Sequence, residues 1–170
     1  MKKLTSIALG LIVAQMTTLA LAQSGGEMPV SEAPRLQWQI SPYTYHFSYN
    51  EEHENVYMVG LEREHADGKL DGGVLFSNSF GQPSIYLYPW GHVYKGIFGQ
   101  PKLSFKWTAG LLYGYVEPYE NKVPFNHNGF SPGIVLALAY EFRPDWAIQL
   151  DVLGNSGLMI QLNMPFKNWH

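Results

Sequence analysis

The sequence predicts an all-β fold: an eight-stranded antiparallel up-and-down transmembrane β-barrel. Three observations predict it. The chain opens with an export leader, its composition is rich in aromatics and glycine, and apolar and polar residues alternate in segment after segment. No apolar run after the leader reaches the length of a spanning helix.

The leader is MKKLTSIALGLIVAQMTTLALAQ: two lysines, an apolar stretch from Ile7 to Val13, then Ala20-Leu21-Ala22 before Gln23. That pattern is a secretory signal peptide over residues 1–22 with a small-x-small cleavage site. A membrane anchor fits less well, because Gln15, Met16, Thr17 and Thr18 interrupt the run. Residues 23–38 follow as an irregular segment, and residues 39–170 form the barrel domain. The chain has no cysteine although export permits disulfides, so packing or a membrane must supply stability. Its formal charge of −3 becomes more negative once Lys2 and Lys3 are removed, which argues against a nucleic-acid partner. Eleven Tyr, nine Phe and five Trp suit the interfacial girdles of an outer-membrane barrel, whereas a secreted β-sandwich would alternate with fewer bulky aromatics on one face.

Eight strands are expected, near residues 39–50, 56–65, 69–78, 84–95, 102–116, 132–142, 146–153 and 157–166. In the first, Tyr43, Tyr45, Phe47 and Tyr49 share one face, and Thr44, His46, Ser48 and Asn50 the other. The fifth sets Leu103, Phe105, Trp107, Leu111, Tyr113 and Tyr115 against Ser104, Lys106 and Thr108. In the seventh, Ile148, Leu150 and Val152 oppose Gln149 and Asp151; in the eighth, Leu158, Ile160 and Leu162 oppose Gln161 and Asn163. Apolar outside and polar inside is what lipid and a filled lumen select. The HADG, KGIFGQP and RPD connections are turn-like, whereas VEPYENKVPFNHNGFS is long and polar. If the first strand runs outward, FSNSFGQP and that long loop lie at the outer rim.

Ser79, beyond the third strand, and His46, on the inward face of the first, are then candidates for acyl transfer. A histidine takes the proton from a hydroxyl while a polar neighbour orients it or stabilises developing charge. The plainer alternatives are a hydrogen-bonded filler histidine and an Asn-Ser turn. His127 and Ser131, in the long loop, form an alternative pair. Arg63 approaches the opposite end and is structural. Lys106 faces inward without an evident role.

From about Tyr43 to Phe166 the chain resembles the PagP family of lipid A palmitoyltransferases, eight-stranded outer-membrane barrels. The resemblance rests on Tyr45-His46, on Gly60-Leu61 with Arg63 and the Asp67-Gly68 turn, and on Phe76-Ser77-Asn78-Ser79-Phe80. Thr108-Ala109-Gly110 and Ile148-Gln149-Leu150 complete it. It implies an outer-membrane enzyme that moves a fatty acyl chain, palmitoyl in the family, from a phospholipid to lipid A of lipopolysaccharide. It implies His46, Asn78 and Ser79 as the catalytic residues, no cofactor and no metal, and a monomer.

The chain departs from the family in four places. Asn78 replaces an aspartate and cannot carry charge. The family's N-terminal amphipathic helix has no counterpart in the Gly- and Pro-rich SGGEMPVSEAPRLQW. Tyr86 and Tyr88 stand near the glycine that floors the family's acyl pocket, which implies a shorter pocket. KNWH extends past Phe166. The rival functions are a non-catalytic small barrel and a lipid A deacylase acting through His127 and Ser131.

Overall fold

The structure is a computed structural model and describes residues 33–166. The leader and the KNWH tail lie outside the described residues. Eight strands form one closed sheet in sequence order: β1 (Arg35–His46), β2 (Met58–Glu64), β3 (Leu70–Ser77), β4 (Pro83–Lys95), β5 (Leu103–Tyr113), β6 (Phe130–Arg143), β7 (Trp146–Leu153) and β8 (Gly157–Pro165). Every neighbouring pair is antiparallel, and β1 closes the barrel on β8. Closure leaves no unpaired edge. β1 starts at Arg35 instead of residue 39, because Arg35–Gln39 pair with Gly60–Glu64 of β2 and add a stretch of strand to what was expected to be irregular chain.

The connections divide by end. Tight β2–β3 and β6–β7 turns and the short Ile97–Gly99 helical turn lie at one end with Arg35 and Pro165. This turn end is ringed by ion pairs of Arg35 with Asp145 and Lys95 with Glu64. The longer β1–β2 and β5–β6 connections lie at the other, loop end.

The period of two dictates which side chains face out. Val59, Leu75, Leu87, Ile134, Leu136 and Ile148 are large, apolar and exposed around the wall. Exposed aromatics flank them, with Trp38, Tyr94, Tyr140 and Phe142 toward the turn end and Tyr43, Tyr45, Tyr113 and Phe130 toward the loop end. Register slips in β1 between Ile40 and Tyr43 and in β4 between Leu87 and Trp90, as it also does in β6 between Glu141 and Arg143. Pro42 and Pro89, which cannot donate to a ladder, sit within the β1 and β4 slips. Gly110 lets β5 come close at the β4 bulge; a Cβ there would stand 1.9 Å from the Leu87 carbonyl oxygen.

The interior has two halves. Toward the turn end a polar network fills the lumen. Glu62 and Lys106 form a buried ion pair, and Lys106 Nζ also donates to Gln149 Oε1 at 2.9 Å. Asn163 Nδ2 donates to the same Gln149 oxygen at 2.8 Å, and Gln149 Nε2 to Asp151 Oδ1 at 2.6 Å. Lys106 thereby gains a role, as the cation that lets Glu62 be buried. Toward the loop end the lumen is apolar, formed by Val56, Met58, Val74 and Met159 with Phe76, Leu112 and Val135. Tyr86 and Tyr88 pack with their rings tilted by 30° at a centroid distance of 5.2 Å between the two halves. Glycines make room for both: a Cβ on Gly133 would meet the Tyr86 ring at 2.8 Å, and one on Gly72 the Tyr88 hydroxyl at 2.6 Å.

Candidate functional site

His46 ends β1 with its side chain on the inward face, and Ser79 lies two residues past the end of β3. Thirty-three residues apart in sequence, they meet at the loop end. His46 Nε2 and Ser79 Oγ are 2.7 Å apart, a hydrogen bond of ordinary O–H···N length. With Nε2 unprotonated, the serine hydroxyl donates to it, which is the ground-state arrangement of a base and the nucleophile it activates.

Asn78 is not part of this pair. It is fully buried, at 0% exposure, and spends its whole amide on the loop. Its Nδ2 donates to the Gly114 carbonyl (3.1 Å) and to Gln82 Oε1 (3.2 Å); its Oδ1 accepts from the backbone N–H groups of Phe80 (2.9 Å) and Gln82 (3.1 Å). Two donors and two lone pairs are all an amide has. The expectation that Asn78 assists the reaction directly is therefore corrected: it clasps the loop that carries Ser79 to the end of β5. The aspartate of the resembled family would lack both donors here.

The alternative pair does not assemble. Ser131 is buried and its hydroxyl donates to the Pro124 carbonyl at 2.6 Å. His127 is exposed in the loop beside Asn128. No hydrogen bond joins the two: the serine lines the interior, tied to Pro124, and the histidine is exposed.

Three residues at or near the pair lay beyond the sequence argument. His53, in the β1–β2 loop, packs its ring on His46 with centroids 4.3 Å apart. Tyr115 lies beside Ser79; burial raises its phenol pKa, with its interaction with Ser79 acting the other way. It therefore stays protonated at neutral pH and can donate. Strict alternation put Tyr115 outside with Tyr113, but Gly114 adopts φ 136°, a conformation closed to side-chain-bearing residues, and the chain beyond it turns inward. A glycine at the end of a strand pattern was the available signal. Thr44, one inward position below His46, is buried, and its Oγ1 has no hydrogen-bond partner. An unpaired buried hydroxyl costs about 1–3 kcal/mol.

Phe80, next to Ser79, draws the loops together. It stacks on Tyr119 (4.2 Å, 15°), meets His53 edge-on (5.5 Å) and lies under Lys122 Nζ (5.4 Å). Below this aromatic cover a cavity of about 300 Å³ runs into the barrel. His46, Ser79 and Tyr115 line its mouth, Val56, Met58, Phe76 and Met159 its walls, and Tyr86 and Tyr88 its depth. Both tyrosines are held: Tyr86 by Thr108 Oγ1 (3.2 Å) and the Gly133 carbonyl (3.3 Å), Tyr88 by Gln39 Oε1 (2.8 Å).

No family model matches the chain, and no curated protein matches it. Among solved structures, a chain described under "De novo design of transmembrane beta-barrels" is similar over 81% of this chain and 100% of its own, with a TM-score of 0.56 and 15% identity. The chain has the fold of a transmembrane β-barrel, closed and eight-stranded. Likeness at that identity speaks for the fold alone, and it agrees with the apolar wall and its two aromatic rings.

Proposed function

We propose that this barrel is an outer-membrane acyltransferase that moves a fatty acyl chain from a phospholipid to a hydroxyl of lipid A. The observation that carries the reading is the 2.7 Å bond between His46 Nε2 and Ser79 Oγ, set at the mouth of an apolar cavity within a lipid-facing barrel. The residue-level resemblance to lipid A palmitoyltransferases at Tyr45-His46 and Phe76–Phe80 supports the choice of substrates.

The donor's acyl chain enters the cavity and brings its ester carbonyl to Ser79. Ser79 Oγ attacks the carbonyl carbon while His46 Nε2 takes the hydroxyl proton. The Tyr115 hydroxyl donates to the oxyanion. The carbon–oxygen bond to the glycerol breaks, His46 returns the proton to that oxygen, and a lysophospholipid leaves. A lipid A hydroxyl then gives its proton to His46 as its oxygen attacks the acyl-serine carbonyl, the acyl carbon–Oγ bond breaks, and His46 returns the proton to Ser79 Oγ. Phe80 and Tyr119 over the mouth limit access of water, which would turn transfer into hydrolysis.

The test is mass spectrometry of lipid A from cells with and without the chain. The proposal expects a gain of one acyl mass, lowered about 10²–10⁴-fold in rate by His46→Ala or Ser79→Ala. A lost acyl mass would indicate a deacylase, and an unchanged spectrum a non-catalytic barrel. Full activity in either variant would remove the site.

A further inference from the structure

Charge is divided unevenly between the two ends of the barrel. Glu51, Glu52, Glu54, Glu117 and Glu120 all lie in the loop-end connections. Arg35, Arg63, Lys69, Lys95, Lys102 and Arg143 lie toward the turn end, and Lys106 is buried in the lumen. Among the described residues that leaves a single lysine or arginine at the loop end, Lys122, which closes the Glu120–Lys122 helical turn of the β5–β6 connection. In an end otherwise acidic, it pairs with no acid: no carboxylate oxygen of the described residues lies within 4.0 Å of its Nζ. The ammonium stands instead over the Phe80 ring, 5.4 Å from its centre. A cation–π contact at an exposed site is weak, and the four-carbon stem is flexible, so a full negative charge can draw the ammonium off the ring.

The place of that ammonium limits what it takes. Lys122 lines the same cavity as His46 and Ser79. Phe80 follows Ser79 directly, so the residue beneath the ammonium is one Cα step, about 3.8 Å, from the serine. A glycerophospholipid whose ester carbonyl rests on Ser79 carries its phosphorus only a glycerol's length further out, about 6–8 Å. The phosphate then falls within reach of the lysine stem. An anion arriving at this end meets carboxylates on two connections and one ammonium, so the ammonium sets where a phosphate can sit.

We infer that Lys122 is the phosphate-binding residue of this site and seats the phosphodiester of the donor phospholipid at the cavity mouth. The inference rests on the proposed function for where the carbonyl sits, but it concerns binding and is tested by binding. Lys122 orients the donor and takes no part in moving the proton.

The experiment titrates the refolded full barrel, in an uncharged maltoside detergent, with two lipids followed by calorimetry. One is tetradecanoyl lysophosphatidylethanolamine; the other is tetradecanoylglycerol, which has the same chain and ester and no phosphate. The wild type is expected to hold the phosphate-bearing lipid about fivefold more tightly, the upper end for an exposed ion pair. Lys122→Met alters only an exposed loop side chain, so the barrel folds and the preference disappears; Lys122→Arg keeps it. Equal binding of the two lipids by the wild type, or a preference that survives in Lys122→Met, overturns the inference. So does an equal weakening of both lipids in Lys122→Met, which would make the lysine a cover for Phe80 and no ligand of phosphate. Lipid A with and without its phosphates forms the second arm: dependence on Lys122 there, and none for the lysophospholipid, would give the residue to the acceptor and overturn the donor assignment. An unchanged lipid A mass with the lysophospholipid preference intact would sink the transfer reaction alone and leave the phosphate site standing.

Discussion

Replacing Lys106 by Met tests whether the polar half of the lumen is held by its ion pair. The substitution keeps most of the stem and removes the ammonium. Lys106 and Glu62 are 6% and 2% exposed, so water does not replace the lost partner. Glu62 would retain only neutral donors, Gln39 Nε2 at 3.2 Å and the Tyr88 hydroxyl at 3.4 Å, while Gln149 Oε1 would lose its 2.9 Å bond. An uncompensated buried carboxylate of this kind costs about 3–5 kcal/mol. Adding Glu62→Gln removes the stranded charge and leaves an amide oxygen for Gln39 and Tyr88. The double variant should then fall within about 1 kcal/mol of wild type, a recovery of about 2–4 kcal/mol over Lys106→Met alone. Urea unfolding of the barrel in lipid vesicles, followed by tryptophan fluorescence, measures each variant. A Lys106→Met barrel that unfolds with the wild type, or a double variant no more stable than the single, would refute the reasoning.

Two further variants probe the site. Asn78→Asp, which restores the acid of the resembled family, exchanges two donated hydrogen bonds for a carboxylate facing the Gly114 carbonyl; it should cost about 2–3 kcal/mol in the same unfolding assay and lower acyl transfer, and a more active, equally stable variant would show that the clasp is dispensable. Tyr86→Ala empties the depth of the cavity beside Gly133; lipid A spectra should shift to longer added chains and stability should fall by about 3 kcal/mol, whereas an unchanged chain length would mean that Tyr86 does not limit the pocket.

The sequence by itself determined the wall. A period of two is local, so Gln149 against Ile148 and Leu150, or Gln161 against Ile160 and Leu162, reveals the outer and lumen faces with no knowledge of the partner strand. Turn residues located the tight ends, and an even strand count with complementary faces implied closure. Alternation stops working where the backbone leaves the strand, as at Gly114, and there Tyr115 was assigned to the wrong side.

Tertiary structure alone decided the rest, because its contacts join residues far apart in the chain. His46 lies 33 positions from Ser79, and Lys106 lies 44 from Glu62. Neither partner carries a local mark of the other. Whether Asn78 would act on the reacting pair or on the loop depended on which groups closure brought within 3.2 Å of its amide. Those groups were the backbone of its own loop, the side chain of Gln82 and a carbonyl 36 residues away at the end of β5.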